Sequence, residues 1–160
     1  MEKIYGCERR DDRLIVLGTK RAVLIYGFGE DESGSYSWRH SFSHVPDRRE
    51  LLEFLDQHID SLTRERILSG MVYDGCAVWL SLENQANYTS SLAVVTATGQ
   101  GLPCRFKLQD PADGSDVYRD FADVASLSDF VMSVRSHIDG CVRAGWNEKD
   151  ALRTAAWLPA

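Results

Sequence analysis

At 160 residues and 18.0 kDa, with 44% hydrophobic and 26% charged residues, the chain has the makings of one globular domain, or of two small ones sharing a core. A net charge of −6, with no basic half hidden inside it, argues against broad binding to nucleic acid or anionic membrane, both of which need a positive surface. Met1 to Tyr5 lack the apolar core of a signal peptide, and the longest apolar run, near Ala22 to Phe28, is too short to span a bilayer, so a cytoplasmic protein is expected.

Taken in order, Leu14-Ile15-Val16-Leu17 and Ala22-Val23-Leu24-Ile25-Tyr26 flank Gly18 to Arg21 and predict a hairpin. Both arms are near-continuous apolar runs, which suit strands covered on both faces by a helix or by another subunit. Self-association or partner docking through this sheet, and hence a homo-oligomer, is the expectation, because bare apolar sheet surface is an aggregation liability. Gly29 to Gly34 reads as a polar turn, and Tyr36 to Phe42 alternates aromatic with polar residues as a half-exposed third strand does. Residues 1–44 thus predict a meander. Asp47, with Glu50 three residues later, signals a helix start, and Leu51, Leu52, Leu55, Ile59 and Leu62 repeat at helical spacing. A short second turn is expected from Thr63 to Leu68.

Met71 to Tyr73 and Cys76 to Leu80 are strand-like runs split by Asp74-Gly75, a dipeptide that accepts the positive φ angles of a type I′ turn. Ser81 stands where a helix N-cap belongs and Glu83 suits the first turn, so a helix is predicted from Leu82 towards Ala97 and is ended by Gly99-Gln100-Gly101. Pro103 to Leu108 and Val117 to Arg119 predict strands around the Asp110 to Asp116 loop. Ser126 is placed as the cap of an amphipathic helix carrying Leu127, Phe130, Val131, Val134, Ile138, Cys141 and Val142, stopped by Gly145. A short terminal helix from Asn147 is expected to carry Trp157. The fold class is therefore α+β: an N-terminal antiparallel β-meander plus helix over residues 1–62, packed on a ββαββα unit with a short C-terminal helix over residues 63–160.

No catalytic constellation emerges. Dinucleotide, Walker, nucleophile-elbow and zincin motifs are absent, and Cys104 and His137 have no oxyanion device beside them, so a non-catalytic protein is expected. Cys7, Cys76, Cys104 and Cys141 form no C-x-x-C pair, and Asp110, Asp113 and Asp116 lack the order of a calcium loop, so neither metal nor other cofactor is expected. His40 and His44, four apart in strand and loop, read as surface or packing residues. The densest polar group is Trp79, Ser81, Glu83, Asn84, Gln85, Asn87 and Tyr88, a mix of amides and aromatics suited to a partner's backbone or a polar ligand. With equal weight, Trp79 and Tyr88 are core and the amides tie the helix start to neighbouring strands. In that case truncating Trp79 costs about 3–5 kcal/mol.

Ile67-Leu68-Ser69-Gly70, Asp74-Gly75, Val78 to Ser81, Glu83-Asn84-Gln85, Asn87-Tyr88, Leu102-Pro103, Phe106-Lys107, Val117-Tyr118, Phe121, Asp129-Phe130 and Gly145 to Asp150 resemble a domain of unknown function carried by small proteins of gut-bacterial phages and prophages. A more distant likeness is to the C-terminal domain of phage tail-fibre-associated and tail-fibre-assembly proteins. The resemblance covers about residues 63–150. It departs at Ala86, where the family often has a large apolar residue, and at Ala93 to Thr96, where it is usually acidic. It implies a virion-associated or tail or baseplate assembly protein whose partners are other phage structural proteins, located in the bacterial host cytoplasm during assembly or in the virion. A small acidic host-directed inhibitor that binds a bacterial enzyme is the alternative.

Overall fold

The computed structural model describes residues 1–159 and shows an α+β fold with two four-stranded antiparallel sheets and three helices among them. The chain groups into two compact units, residues 1–59 with the stretch from Glu148 onwards, and residues 60–147. The division expected after residue 62 thus lies after Ile59, and the C-terminal residues group with the first unit.

In the first unit the strands β1 (Glu2–Tyr5), β2 (Arg13–Leu17), β3 (Arg21–Asp31) and β4 (Gly34–Phe42) lie in the order β1-β4-β3-β2. The meander is β2 to β4; β1 closes its far side against β4, pairing Ile4 with Ser37. The polar turn predicted from Gly29 is tighter than expected, because β3 runs on to Asp31 past a bulge between Tyr26 and Gly29. One face of the sheet carries Ala22, Leu24, Tyr26 and Phe42, packed with Leu51, Leu55 and Ile59 of the helix α1 (Arg48–Ser69) and with Leu152 and Leu158. Tyr26 donates its hydroxyl to Glu148 at 2.7 Å on this side. Val16 and Leu17 are about half exposed, 51% and 52%, so coverage of the first apolar arm is incomplete, whereas the second, Ala22 to Tyr26, is buried except for the half-buried Ile25.

Asp47 caps α1 as expected, accepting the Glu50 N–H at 2.8 Å. The Glu50 carboxylate, however, does not close a capping box; it meets His44 Nε2 at 2.7 Å. His40 lies between the rings of Phe42 and Phe54, at 4.6 and 4.4 Å, and burial lowers its pKa, as for a packing residue. α1 also absorbs the separate turn expected from Thr63 to Leu68: nothing in that segment breaks an α-helix, and it continues to Ser69.

The second unit follows the expected ββα order closely. β5 (Met71–Tyr73) and β6 (Cys76–Val78) join through Asp74 and Gly75, whose φ angles of 50° and 77° are those the turn demands. The helix α2 (Leu82–Thr98) is capped by Ser81 Oγ, which accepts the Asn84 N–H, and ends at Gly99 in the left-handed conformation with its N–H on Val95 O. β7 (Cys104–Gln109) and β8 (Asp116–Phe121) complete a sheet of order β5-β6-β7-β8, and their outward side chains pair as Lys107 with Asp116 and Arg105 with Asp120. The core beneath gathers Val78, Leu80, Tyr88, Val95, Phe106, Leu108 and Phe121 against Leu127 and Phe130 of the helix α3 (Val124–Arg153).

Two expectations about α3 need correction. Its cap is Asp123, which accepts the Ser126 N–H at 2.8 Å; Ser126 sits inside the first turn. Gly145 does not stop it: the helix is continuous through Gly140 and Gly145 and includes the expected terminal helix, while Trp157 lies in the turns beyond Arg153. The Ser126 N–H and hydroxyl hold the Asp123 carboxyl below its ordinary range. The stability from this cap is therefore present above the range in which an unfolded aspartate titrates, and it is lost as pH falls through the folded-state pKa. Asp123→Asn, whose amide caps without titrating, is expected to melt like the parent at neutral pH and to lose less melting temperature on acidification, as followed by circular dichroism.

Candidate functional site

The Trp79 to Tyr88 segment leaves β6 and enters α2, and the structure divides its residues into two groups. Ser81, Asn84 and Gln85 do structural work: beyond the Ser81 cap, the Asn84 amide donates to Trp79 O and the Gln85 amide to Leu80 O, each at 2.8 Å. These bonds satisfy carbonyls that the chain exposes as it turns out of the sheet. Leu80 is fully buried, and its N–H donates to Leu68 O at 3.0 Å. Glu83 is exposed at the positive end of α2, where its own main-chain N–H and the Ser81 hydroxyl lower the pKa of its carboxyl.

Trp79, Asn84, Asn87 and Tyr88 are brought together in one groove of ≈ 360 Å³. Its other wall is β7, through Phe106, Lys107, Leu108 and Gln109. Tyr88, placed with equal weight in the core or at a partner contact, belongs to the core, its ring 4.7 Å from Phe106 and 4.9 Å from Phe130, and burial raises its phenol pKa. Trp79 does not: it is 50% exposed, because the strand ends at Val78 and the indole emerges where the backbone turns away. The Asn87 amide is exposed at the rim. The groove exists because β6 meets β7 at one register pair, Ala77 with Gln109, and then departs, so the rest of β7 is paired on its β8 side alone. The β7 wall escaped sequence reasoning because its pairing with β6 spans α2. Only the alternation of Phe106 and Leu108 with Lys107 and Gln109 hinted at a strand with one accessible face.

The surface of α2 beside this groove is unusual for the chain. Glu83 is its one charged residue, and its other exposed positions are Leu82 at 78%, Ala86, Asn87, Thr89, Ser90, Ala93, Val94 at 54%, Thr96, Ala97 and Thr98. Depletion of charge around an exposed aromatic is the compositional mark of protein interfaces. With the indole half exposed, Trp79→Ala is expected to cost about 1 kcal/mol of stability, well below the value for a core tryptophan. Thermal melting of the variant checks this.

The other candidates stay dispersed. His137 lies near Arg66 O, 3.1 Å, and Cys141 Sγ, 3.7 Å, away from any pairing with Cys104, which donates to Gly101 O. Asp110 and Asp113 cap turns of their own loop by accepting the Ala112 and Ser115 N–H groups, and Asp116 pairs with Lys107. Among the described residues no group of three or more His, Cys, Asp or Glu side chains is placed to hold a metal ion, and no helix is long and apolar enough to cross a membrane. Comparison of the chain with protein-family models, with curated protein sequences and with solved structures finds no match in any of the three.

Proposed function

We propose that the protein is a non-catalytic binding protein whose contact surface is the uncharged face of α2 with the Trp79 groove, and that it serves phage tail or baseplate assembly or sits in the virion. The observation that carries the first half is the exposure of Leu82 on a helix with a single charge and of Trp79 just before that helix. Burying that surface against a partner removes apolar area from water at little electrostatic cost, and the amide of Asn87 and the free side of β7 supply hydrogen bonds for orientation. The second half is supported by the resemblance of residues 63–150 to small phage proteins and to tail-fibre-assembly domains. On this reading the partners are other phage structural proteins or a second copy of the chain, met in the host cytoplasm during assembly.

Mass spectrometry of purified particles and of infected-cell lysate, with affinity capture of tagged protein, tests the proposal. Presence in the particle, or co-purification with a tail protein that is lost in Trp79→Ala and Leu82→Glu, is the expected result. Early appearance in infection, absence from particle and tail complexes, and capture of a host enzyme would establish the host-directed inhibitor instead.

A further inference from the structure

The outer face of the N-terminal sheet, opposite the face that packs on α1, carries a second groove of ≈ 360 Å³. Its floor is aliphatic, made by Ile15 of β2, Val23 and Ile25 of β3 and, across β4, Ile4 of β1. Its charged lining consists of Arg10, Arg13 and Arg39, with no carboxylate among the lining residues. The register explains the placement: Arg13 lies across from Ile25, and Ile25 across from Arg39, so two guanidinium groups flank one isoleucine in a single row. Three cations around an apolar floor are out of keeping with a chain of net charge −6.

These arginines are poorly matched within the chain. Arg13 and Arg39 form no ion pair among the described residues, and Arg10 reaches only the exposed Glu8, at 3.7 Å. The Nε–H of Arg13 is buried and has no acceptor among the described residues. A buried donor without an acceptor is costly, and a guanidinium is best satisfied by a carboxylate in its own plane.

We infer that this face docks an acidic, extended segment of a partner protein, with aliphatic side chains on the isoleucine and valine floor and carboxylates on Arg13 and Arg39. Charge decides against a second copy seated symmetrically on the same face, since that would oppose the guanidinium groups of the two copies. The one aromatic residue among the lining, Trp38, is half-buried with its ring 4.7 Å from that of His58 on α1, so no ring stands clear for base stacking, which speaks against single-stranded nucleic acid. It is an open sheet surface where a fatty acid would need an enclosing cavity. An extended segment with alternating side chains matches both the flat floor and the two-residue repeat of the sheet.

The test uses the full chain with methyl-labelled isoleucine and valine and a synthetic peptide of alternating glutamate and leucine, followed by NMR and fluorescence anisotropy. Saturable binding is expected, with shifts at Ile4, Ile15, Val23 and Ile25 and weakening as salt rises. Arg13→Gln with Arg39→Gln is expected to weaken binding at least about tenfold, as is replacing glutamate by glutamine in the peptide. Trp79→Ala is expected to leave it unchanged, which separates this surface from the α2 groove. Should the double variant not fold, Arg39→Gln alone, at an exposed position, carries the comparison. Absence of binding, equal binding by the arginine variants or by the glutamine peptide, shifts elsewhere, or binding of laurate or of a single-stranded oligonucleotide in place of the peptide would each overturn the inference.

Discussion

Phe130→Ala is expected to be among the most destabilising single substitutions in the chain, lowering stability by about 3–5 kcal/mol. Phe130 is fully buried on α3, and its ring lies 5.0 Å from Tyr73, 4.9 Å from Tyr88, 5.8 Å from Phe106 and 4.9 Å from Phe121. Truncation removes the transfer free energy of the ring and leaves a void that four aromatic rings, themselves held by three strands and a helix, cannot readily fill. Edge-to-face pairs add about 0.5–1.5 kcal/mol each beyond their buried area, without simple additivity, so the upper part of the range is favoured. Phe130→Leu, which keeps most of the volume, is expected to cost less than half as much. Urea unfolding midpoints with an unchanged slope check both values; a loss below about 1 kcal/mol for the alanine variant would show that this cluster is not what holds the core together.

That cluster also marks where the sequence was legible. Phe130 announces itself by its spacing from Leu127, Val131 and Val134, and Tyr88 by its place two turns into a capped helix. Asp74-Gly75, the Ser81 cap and the Gly99 terminator act within a few residues, so local chemistry suffices to place them. What was not legible depends on distant partners. β1 pairs with β4, more than thirty positions away in sequence, and four residues of ordinary composition gave no hint of it. Trp79 has the look of a strand residue, and its exposure follows from β6 ending two residues earlier than its pattern suggests. The site followed the same rule: residues of the continuous 79–88 stretch were visible, while Phe106 to Gln109 entered through the β6 and β7 pairing.

Gly145 is the sharpest case of a local rule overridden, and it yields the second large prediction. Glycine near the end of an amphipathic run reads as a helix stop, yet α3 passes through it with helical geometry. A Cβ at this position would lie 2.5 Å from Thr63 Oγ1 of α1, with the Thr63 Cγ2 at 3.5 Å and Cβ at 3.6 Å. The glycine is thus required by the close approach of two helices within residues 60–147. Helix propensity alone would make Gly145→Ala stabilising by about 1 kcal/mol. Threonine, branched at Cβ, has little freedom to rotate away in a helix, so the overlap is expected to win and the variant to lose about 1–3 kcal/mol. Thr63 Oγ1 is buried with no hydrogen-bond partner among the described residues, so Thr63→Ala sacrifices no hydrogen bond there and removes the clashing atom. In the Thr63→Ala background Gly145→Ala is then expected to be neutral or stabilising, giving a coupling energy of about 1–3 kcal/mol in the double-mutant cycle. Equilibrium unfolding of the four proteins measures it, and a Gly145→Ala variant more stable than the parent would show that the two helices have room to spare at this crossing.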